Sequence, residues 1–142
     1  MSMPPFHLAF PVKDIASTRI FYKEVLNCIV GRQGERWIDF NFFGHQISAH
    51  LTDEEQLTPM CNQVDNQAVP ARHFGVVLDW DDWDRLVARL SKYQVPFTIA
   101  PYMRFEGDVG EQRTFFIRDP SGNFLEFKCF RSPDTVFQSG QK

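Results

Sequence analysis

The chain has 142 residues, 43% of them hydrophobic and 15 of them phenylalanine, which is typical of one globular domain stabilised by an apolar core. Three cysteines without a C-x-x-C pair argue against a disulfide framework or a cysteine zinc site and favour a reducing, cytoplasmic location. A net charge of -3 argues against nucleic-acid binding, and the sequence shows neither a targeting signal nor an apolar run long enough for a membrane span.

The first half of the sequence, residues 5–52, predicts a βαβββ module. A strand is expected over residues 6–12, and a helix capped by Asp14 is expected to run to Leu26 with its apolar side chains on one face. Three further strands follow from alternation and glycine-containing turns, over residues 29–30, 37–42 and 46–51.

Residues 53–71 are expected to form a linker between two halves of the chain. The segment is acidic at first and then rich in Asn, Gln and Pro. Loops of this length inside a compact domain are usually functional or mobile.

The second half, residues 72–131, predicts the same order of elements and precedes a tail over residues 132–142. A strand over residues 73–78 leads into a helix that ends near Lys92. The last three strands are expected over residues 95–99, 114–117 and 124–129. Residues 100–112 interrupt them with glycines and charges, and this loop is a candidate lid or pocket wall.

Each module begins with a histidine on its first strand. Because side chains alternate across a strand, His7 shares its face with Ala9, and His73 shares its face with Gly75. His50 and Glu126 also point away from the apolar faces of their strands. Small neighbours leave room for a ligand, and two imidazoles with one carboxylate suit Fe(II), Zn or Mn.

The chain resembles the vicinal oxygen chelate superfamily, which holds glyoxalase I, type I extradiol dioxygenases and bleomycin-resistance proteins. The resemblance runs from Pro5 to about Arg131, and it is carried by the paired modules, the strand-borne histidines and one closing motif. That motif is Asp119-Pro120-Ser121-Gly122-Asn123-Phe124-Leu125-Glu126-Phe127, which looks like the family's D-P-x-G-x-x-x-E strand. The resemblance implies an α+β fold in one domain, residues 1–142, whose paired βαβββ modules form a curved mixed sheet around a metal site.

By family position, the resemblance implies that His7, His73 and Glu126 are the metal ligands. Within the superfamily the chain looks most like small extradiol-type dioxygenases, which implies Fe(II), a catecholic or vicinal-oxygen small molecule as substrate, and O2. Zn, Mn or Ni are the alternative metals. A glyoxalase-like isomerase or lyase and a non-catalytic binding protein of the resistance type are the alternative functions.

The sequence departs from the dioxygenase pattern at two places. Phe116 stands where the larger extradiol enzymes carry a tyrosine. His50 lies near the place of a fourth, carboxylate ligand in glyoxalases, although Ser48 matches that place better by its distance from the preceding glycine. His50 is therefore a candidate ligand, acid–base residue or structural partner.

Polar residues around the loop 100–112 are candidates for substrate binding. Tyr102, Arg104 and Arg113 could hold an anionic substrate, and we select Tyr102 and Arg104 as catalytic candidates, although nearby acidic residues are alternative partners for the arginines. The acidic run Asp81-Asp82-Trp83-Asp84 is interpreted as a helix N-terminus rather than a metal site. We expect a small-molecule substrate, no nucleic-acid or membrane partner, and a homodimer.

Overall fold

The computed structural model describes residues 3–53 and 61–139 and divides into two compact units. The first unit comprises Met1–Leu57 with Asp119–Asn123, and the second comprises Thr58–Arg118 with Phe124–Lys142. Each unit has its own four-stranded mixed sheet, and neither sheet is closed. The predicted α+β class with paired βαβββ modules is therefore confirmed.

The first unit places its strands in the order β1-β4-β3-β2, with β1 parallel to β4 and the other pairs antiparallel. Its one helix, α1, continues directly into a π-helical segment. The elements are β1 (His7–Val12), α1 (Ile15–Ile20), the π-helical segment (Phe21–Val25), β2 (Ile29–Gln33), β3 (Trp37–Phe42) and β4 (His45–Leu51).

Helix α1 begins where the sequence predicts, because Asp14 caps it. The Asp14 carboxylate accepts a hydrogen bond of 2.7 Å from the backbone N–H of Ser17, and this bond lowers the pKa of Asp14. The helix packs on one face of the sheet, where Phe10 and Val12 are buried while His7 is exposed. The buried apolar residues of this unit are Phe10, Val12, Phe21, Tyr22, Leu26, Cys28, Ile38, Phe40, Phe42, Ile47 and Ala49.

The segment Asp119–Asn123 belongs to the first unit because side chains bind it there. The hydroxyl of Tyr22 donates a 2.9 Å hydrogen bond to Asp119, and the buried environment raises the pKa of Tyr22 well above its usual value. The Ser121 hydroxyl accepts from the backbone N–H of Lys13. Much of the D-P-S-G motif therefore fixes a turn.

The second unit repeats the topology of the first, in the order β7-β10-β9-β8 with β7 parallel to β10. A separate two-stranded hairpin, β5-β6, precedes it. The elements are β5 (Cys61–Val64), β6 (Gln67–Pro70), β7 (Val77–Leu78), α2 (Trp80–Lys92), β8 (Phe97–Arg104), β9 (Gln112–Arg118), β10 (Phe124–Phe130) and a 3-10 turn (Pro133–Thr135).

Helix α2 buries the apolar stripe that the sequence predicts. Trp83, Leu86 and Leu90 are buried, and the indole N–H of Trp83 donates to the carbonyl of Phe127. Asp81 and Asp82 lie in the first turn, so the acidic run is a helix N-terminus as expected. Across the described residues, no helix is both long and apolar enough to cross a membrane.

The strand that follows His73 is shorter than predicted. Its regular part is β7, preceded by a single bridge between Phe74 and Leu125. Gly75 approaches β10 so closely that an added Cβ would lie 1.5 Å from the carbonyl oxygen of Glu126. Only glycine fits this close backbone approach.

The predicted linker contains regular structure. Residues 54–60 lie outside the described residues, but β5 and β6 form an antiparallel hairpin. Its tip residues Asp65 and Asn66 have φ values of 50° and 63°, as a two-residue type I′ turn requires.

The predicted loop 100–112 is in part strand. β8 continues to Arg104 and pairs with β9, so the turn is limited to residues 105–111. Pro101 is tolerated because β8 is an edge strand and its pairing shifts between Ile99 and Tyr102.

Candidate metal centre

His73 lies before β7 with both ring nitrogens facing oxygen atoms. Nδ1 is 2.7 Å from the carbonyl oxygen of Pro70, and Nε2 is 3.2 Å from Oε1 of Glu126. A carbonyl oxygen only accepts, so Nδ1 carries a proton and the ring is held with Nε2 toward the carboxylate. The hydrogen bond with Glu126 raises the pKa of His73, although partial burial opposes it. The structure thus brings together two of the predicted ligands.

The second carboxylate oxygen of Glu126, Oε2, also accepts a hydrogen bond. The hydroxyl of Thr114 donates a 2.6 Å hydrogen bond to Oε2, and Nζ of Lys128 lies 4.0 Å from Oε1. Burial acts to raise the pKa of Glu126, but the hydrogen bonds with His73 and Thr114 outweigh it and lower the pKa below its usual value. Glu126 is therefore a carboxylate at neutral pH, with Oε1 turned toward His73.

His7, in the first unit, is oriented in a similar way. Its Nδ1 lies 2.9 Å from Oε1 of Gln46, its register partner on β4. The amide nitrogen of Gln46 donates to Asp39 at 3.4 Å, and the hydroxyl of Ser48 donates to Asp39 at 2.6 Å. A carboxylate only accepts, so the Gln46 amide must present its oxygen to His7, and Nδ1 of His7 must carry the proton.

These features suit a divalent metal ion. Histidine ligands usually bind metals through one ring nitrogen while the other donates to an oxygen, and both His7 and His73 have Nδ1 held in this way. In each ring Nε2 is the atom that would bind a metal. In His73 this nitrogen donates to Oε1 of Glu126, because a carboxylate only accepts, and a metal would take the place of that proton. The described residues contain no preassembled group of three His, Cys, Asp or Glu side chains that could hold a metal, so a three-ligand centre belongs to the proposal below.

The strand registers show which residues correspond between the modules. Ser48 pairs with Ala9, two residues after His7. Glu126 lies against Gly75, two residues after His73. Ser48 is therefore the first-module counterpart of Glu126, as its distance from the preceding glycine suggests.

His50 lies two residues beyond Ser48 on β4, and its second-module counterpart is accordingly Lys128. It is exposed and pairs in register with Pro11 and Trp37. At about 3.3 Å per residue, it lies roughly 13 Å along the strand from Gln46, the residue that contacts His7. A shared metal with His7 is thus not supported by this spacing, whereas a polar role beside the site stays a prediction.

Tyr102 and Arg104 lie together on β8, where both hold the same carboxylate. The Tyr102 hydroxyl donates a 3.0 Å hydrogen bond to Asp65, and Nε of Arg104 forms an ion pair with the same oxygen. Arg113 faces the opposite side of the sheet, where it pairs with Asp84 on α2 at 2.8 Å. The structure therefore removes Arg113 from the candidate substrate-binding residues.

Four residues of the site were not anticipated from the sequence: Asp39, Gln46, Pro70 and Thr114. The alternation of β3, β4 and β9 shows that three of them share a face with candidate ligands. Their pairing with particular ligands depends on strand register and could not be read from the sequence.

Residues 5–127 match the family model described as the Glyoxalase/Bleomycin resistance protein/Dioxygenase superfamily. The chain belongs to this superfamily. Its members are mostly enzymes that act on small molecules, and they generally bind divalent metals. No curated protein matches the chain in sequence.

Solved structures of this superfamily are similar to the chain over nearly its whole length. A glyoxalase/bleomycin resistance protein/dioxygenase from Alicyclobacillus acidocaldarius is 32% identical, with a TM-score of 0.80 over 94% of this chain and 96% of that one. The fosfomycin resistance protein FosX from Listeria monocytogenes is 17% identical, with a TM-score of 0.70 over 96% and 100%. Lactoylglutathione lyase from Agrobacterium tumefaciens is 15% identical, with a TM-score of 0.67 over 97% and 98%. The last two similarities show the fold alone.

Proposed function

We propose that the chain is a metal-dependent enzyme of the extradiol-dioxygenase type, with Fe(II) held by His7, His73 and Glu126. The observation that carries the proposal is the facing pair of His73 and Glu126, each fixed from behind by a hydrogen bond. We include His7 as the third ligand because it occupies the matching place in the sequence repeat and because its Nδ1 has a similar contact, with Gln46. Zn, Mn and Ni suit the same donor atoms.

Bound Fe(II) would supply open coordination positions for the two vicinal oxygens of a catecholic or enediol substrate and for O2. Lys128 brings a positive charge within 4.0 Å of Glu126, and this charge favours an ionised substrate oxygen nearby. The rings of Phe116 and His73 pack in a T-shaped arrangement with 5.0 Å between their centroids, so Phe116 covers part of the imidazole.

The three-ligand form of the site is supported by Ser48. Its position corresponds to Glu126, and its hydroxyl is bound to Asp39. A serine held in this way supplies no fourth carboxylate. Three protein ligands leave positions open for substrate and O2, whereas four favour proton transfer on a more saturated metal.

Phe116 favours a second candidate function, a glyoxalase-like isomerase or lyase. It pairs in register with Glu126 and is buried, so no phenol can supply a proton from this place. In this alternative, Glu126 or His50 would move a proton between substrate atoms while the metal polarises an oxygen.

Anaerobic titration of metal-free protein with Fe(II), Zn, Mn and Ni tests the metal centre. We expect His73→Ala and Glu126→Gln to weaken binding at least about 100-fold, because each removes a ligand atom. His45→Ala is the matched control, since His45 instead accepts from the backbone N–H of Phe6. Failure of the wild-type chain to bind any of the four metals would refute both enzyme functions.

The variant His7→Ala tests the contribution of the first unit. We expect a loss of metal affinity similar to that of His73→Ala. Unchanged affinity would show that His7 is not a ligand and that the second unit binds the metal by itself.

Turnover separates the remaining functions. Oxygen consumption by the Fe(II)-loaded chain with a panel of catechols is expected for the dioxygenase. Conversion of a methylglyoxal–thiol adduct without oxygen consumption would favour the isomerase, and binding without turnover would favour a sequestering protein.

A further inference from the structure

The tip of the β5-β6 hairpin places a carboxylate against a cationic site on the main sheet of the second unit. Asp65 accepts from the Tyr102 hydroxyl at 3.0 Å and pairs with Nε of Arg104. The Arg104 side chain is 21% exposed and Asp65 is 40% exposed. The sheet thus supplies a partly buried cationic receptor, while the exposed hairpin tip supplies its anionic occupant.

The receptor is preorganised by its neighbours. The guanidinium of Arg104 stacks on the ring of Phe105 at 4.8 Å, which orients its planar face. Burial and the hydrogen bond to Asp65 raise the pKa of Tyr102, so its hydroxyl stays protonated and able to donate at neutral pH. A fixed guanidinium beside a phenol is well suited to binding a carboxylate.

This receptor shares a sheet face with Glu126. Tyr102 pairs in register with Thr114, whose hydroxyl donates to Glu126. At about 4.8 Å between neighbouring strands, β8 and β10 are separated by about 10 Å. Arg104 registers through Gln112 with Phe130, four residues along β10 from Glu126, so the two backbone positions are also offset by about 13 Å along the strands. Tyr102 registers through Thr114 with Lys128, only two residues from Glu126. A ligand at Glu126 therefore reaches the subsite on the side of Tyr102, toward which the long Arg104 side chain has to extend.

The occupant is separate from the sheet that carries the receptor. Strands β5 and β6 pair with each other and belong to neither four-stranded sheet. Displacing Asp65 from Arg104 therefore requires no break in the backbone pairing of the main sheet. An external carboxylate has to compete with Asp65. Its apparent affinity is its intrinsic affinity multiplied by the fraction of chains whose site is open.

We propose that Tyr102 and Arg104 form a carboxylate-binding subsite, and that Asp65 fills this subsite until an acidic substrate displaces it. The inference rests on the proposed function, and it specifies the substrate as a vicinal-oxygen compound that also carries a carboxylate. Its binding step requires no metal.

Binding of benzoate to the metal-free full chain, followed by NMR titration, tests the subsite. Asp65→Asn removes the competing charge, and we expect it to tighten benzoate binding about tenfold. Arg104→Gln should weaken binding at least about tenfold, and Tyr102→Phe should weaken it by a smaller factor. Benzamide, which has the same shape without the charge, should neither bind nor compete.

The ion pair of Asp82 and Arg85 on α2 supplies the matched controls, because it is remote from the subsite in sequence and lies on the helix surface. Asp82→Asn and Arg85→Gln should leave benzoate binding unchanged. The tighter binding expected of Asp65→Asn cannot arise from misfolding. If Asp65→Asn does not bind benzoate more tightly than the wild type, the pair only anchors the hairpin and the subsite is refuted.

A second measurement separates this inference from the proposed function. With metal bound, 3,4-dihydroxybenzoate should bind more tightly than catechol, and Arg104→Gln should abolish this preference. Benzoate binding without any metal binding would uphold the subsite and refute the metal centre. Metal binding without benzoate binding would uphold the metal centre and refute the subsite.

Discussion

A carboxylate accepts hydrogen bonds and cannot donate them. At Asp39 this property fixes the tautomer of His7 through the amide of Gln46. The carboxylate takes the amide N–H of Gln46, so the amide oxygen faces His7 and fixes the proton on Nδ1. The Pro70 carbonyl has the same effect on His73. The sequence identifies both histidines by alternation, but the acceptors that set their tautomers come from other strands.

At the residue scale, Gln46→Leu should change the tautomer of His7. Without the amide acceptor, we expect the Nδ1 proton to shift in part to Nε2, and the affinity for metal to fall about 10- to 100-fold. Nitrogen chemical shifts of the His7 ring in the metal-free chain measure the tautomer directly. Gln33→Leu on β2, which removes an amide that contacts Arg19, is the control. An unchanged His7 tautomer in Gln46→Leu would contradict the role assigned to this amide.

At the scale of elements, the pairing of the chain after His73 with β10 sets the position of His73 relative to Glu126. The backbone N–H of Phe74 donates to Phe124, and that of Glu126 donates to Phe74. The sequence predicts a strand here but cannot show how closely the two backbones approach. At Gly75 this approach leaves no space for a side chain.

Gly75→Ala is therefore expected to destabilise the chain by about 3 kcal/mol or more, because its Cβ would overlap the carbonyl of Glu126 and force the strands apart. Chemical denaturation measures the change in the free energy of unfolding. Gly31→Ala is the matched control, since its Cβ would lie 3.4 Å from Asp39, at ordinary contact distance. Equal stability of the two variants would show that the close approach is absent in solution.

The hairpin β5-β6 is the element that the sequence pattern did not predict. Its strands are short and polar, and no apolar alternation marks them within the Asn- and Gln-rich segment. The turn residues Asp65 and Asn66 are the only local signal, since Asn and Asp tolerate positive φ. The docking of Asp65 on Arg104 changes the interpretation of this segment from a linker to part of the candidate site.

At the scale of the whole molecule, two units with the same strand order each carry one histidine of the sequence repeat. The homodimer and the cytoplasmic location stay predictions. Metal binding should also stabilise the folded chain, because ligand that binds only the native state shifts the unfolding equilibrium.

The melting temperature should therefore rise when metal is added. At a free metal concentration about 100 times Kd, the stabilisation is about 2.7 kcal/mol, or about 5–10 °C for a chain of this size. Calorimetry with metal and then with a chelator measures the rise and its reversal. His73→Ala, with its affinity at least about 100-fold weaker, should show at most about 0.4 kcal/mol of stabilisation under the same conditions. A rise of the same size as in the wild type would contradict ligation by His73.

The sequence by itself determined the α+β class, the repeat of the βαβββ module and the faces on which His7 and Glu126 lie. These features follow from local periodicity and capping, which each segment carries in its own residues. Only the tertiary structure decided three contacts. Gln46 connects Asp39 to His7, the Thr114 hydroxyl donates to Glu126, and Asp65 forms an ion pair with Arg104. Such contacts depend on strand register and hairpin docking, and these are set by the packing of the whole unit rather than by any single segment.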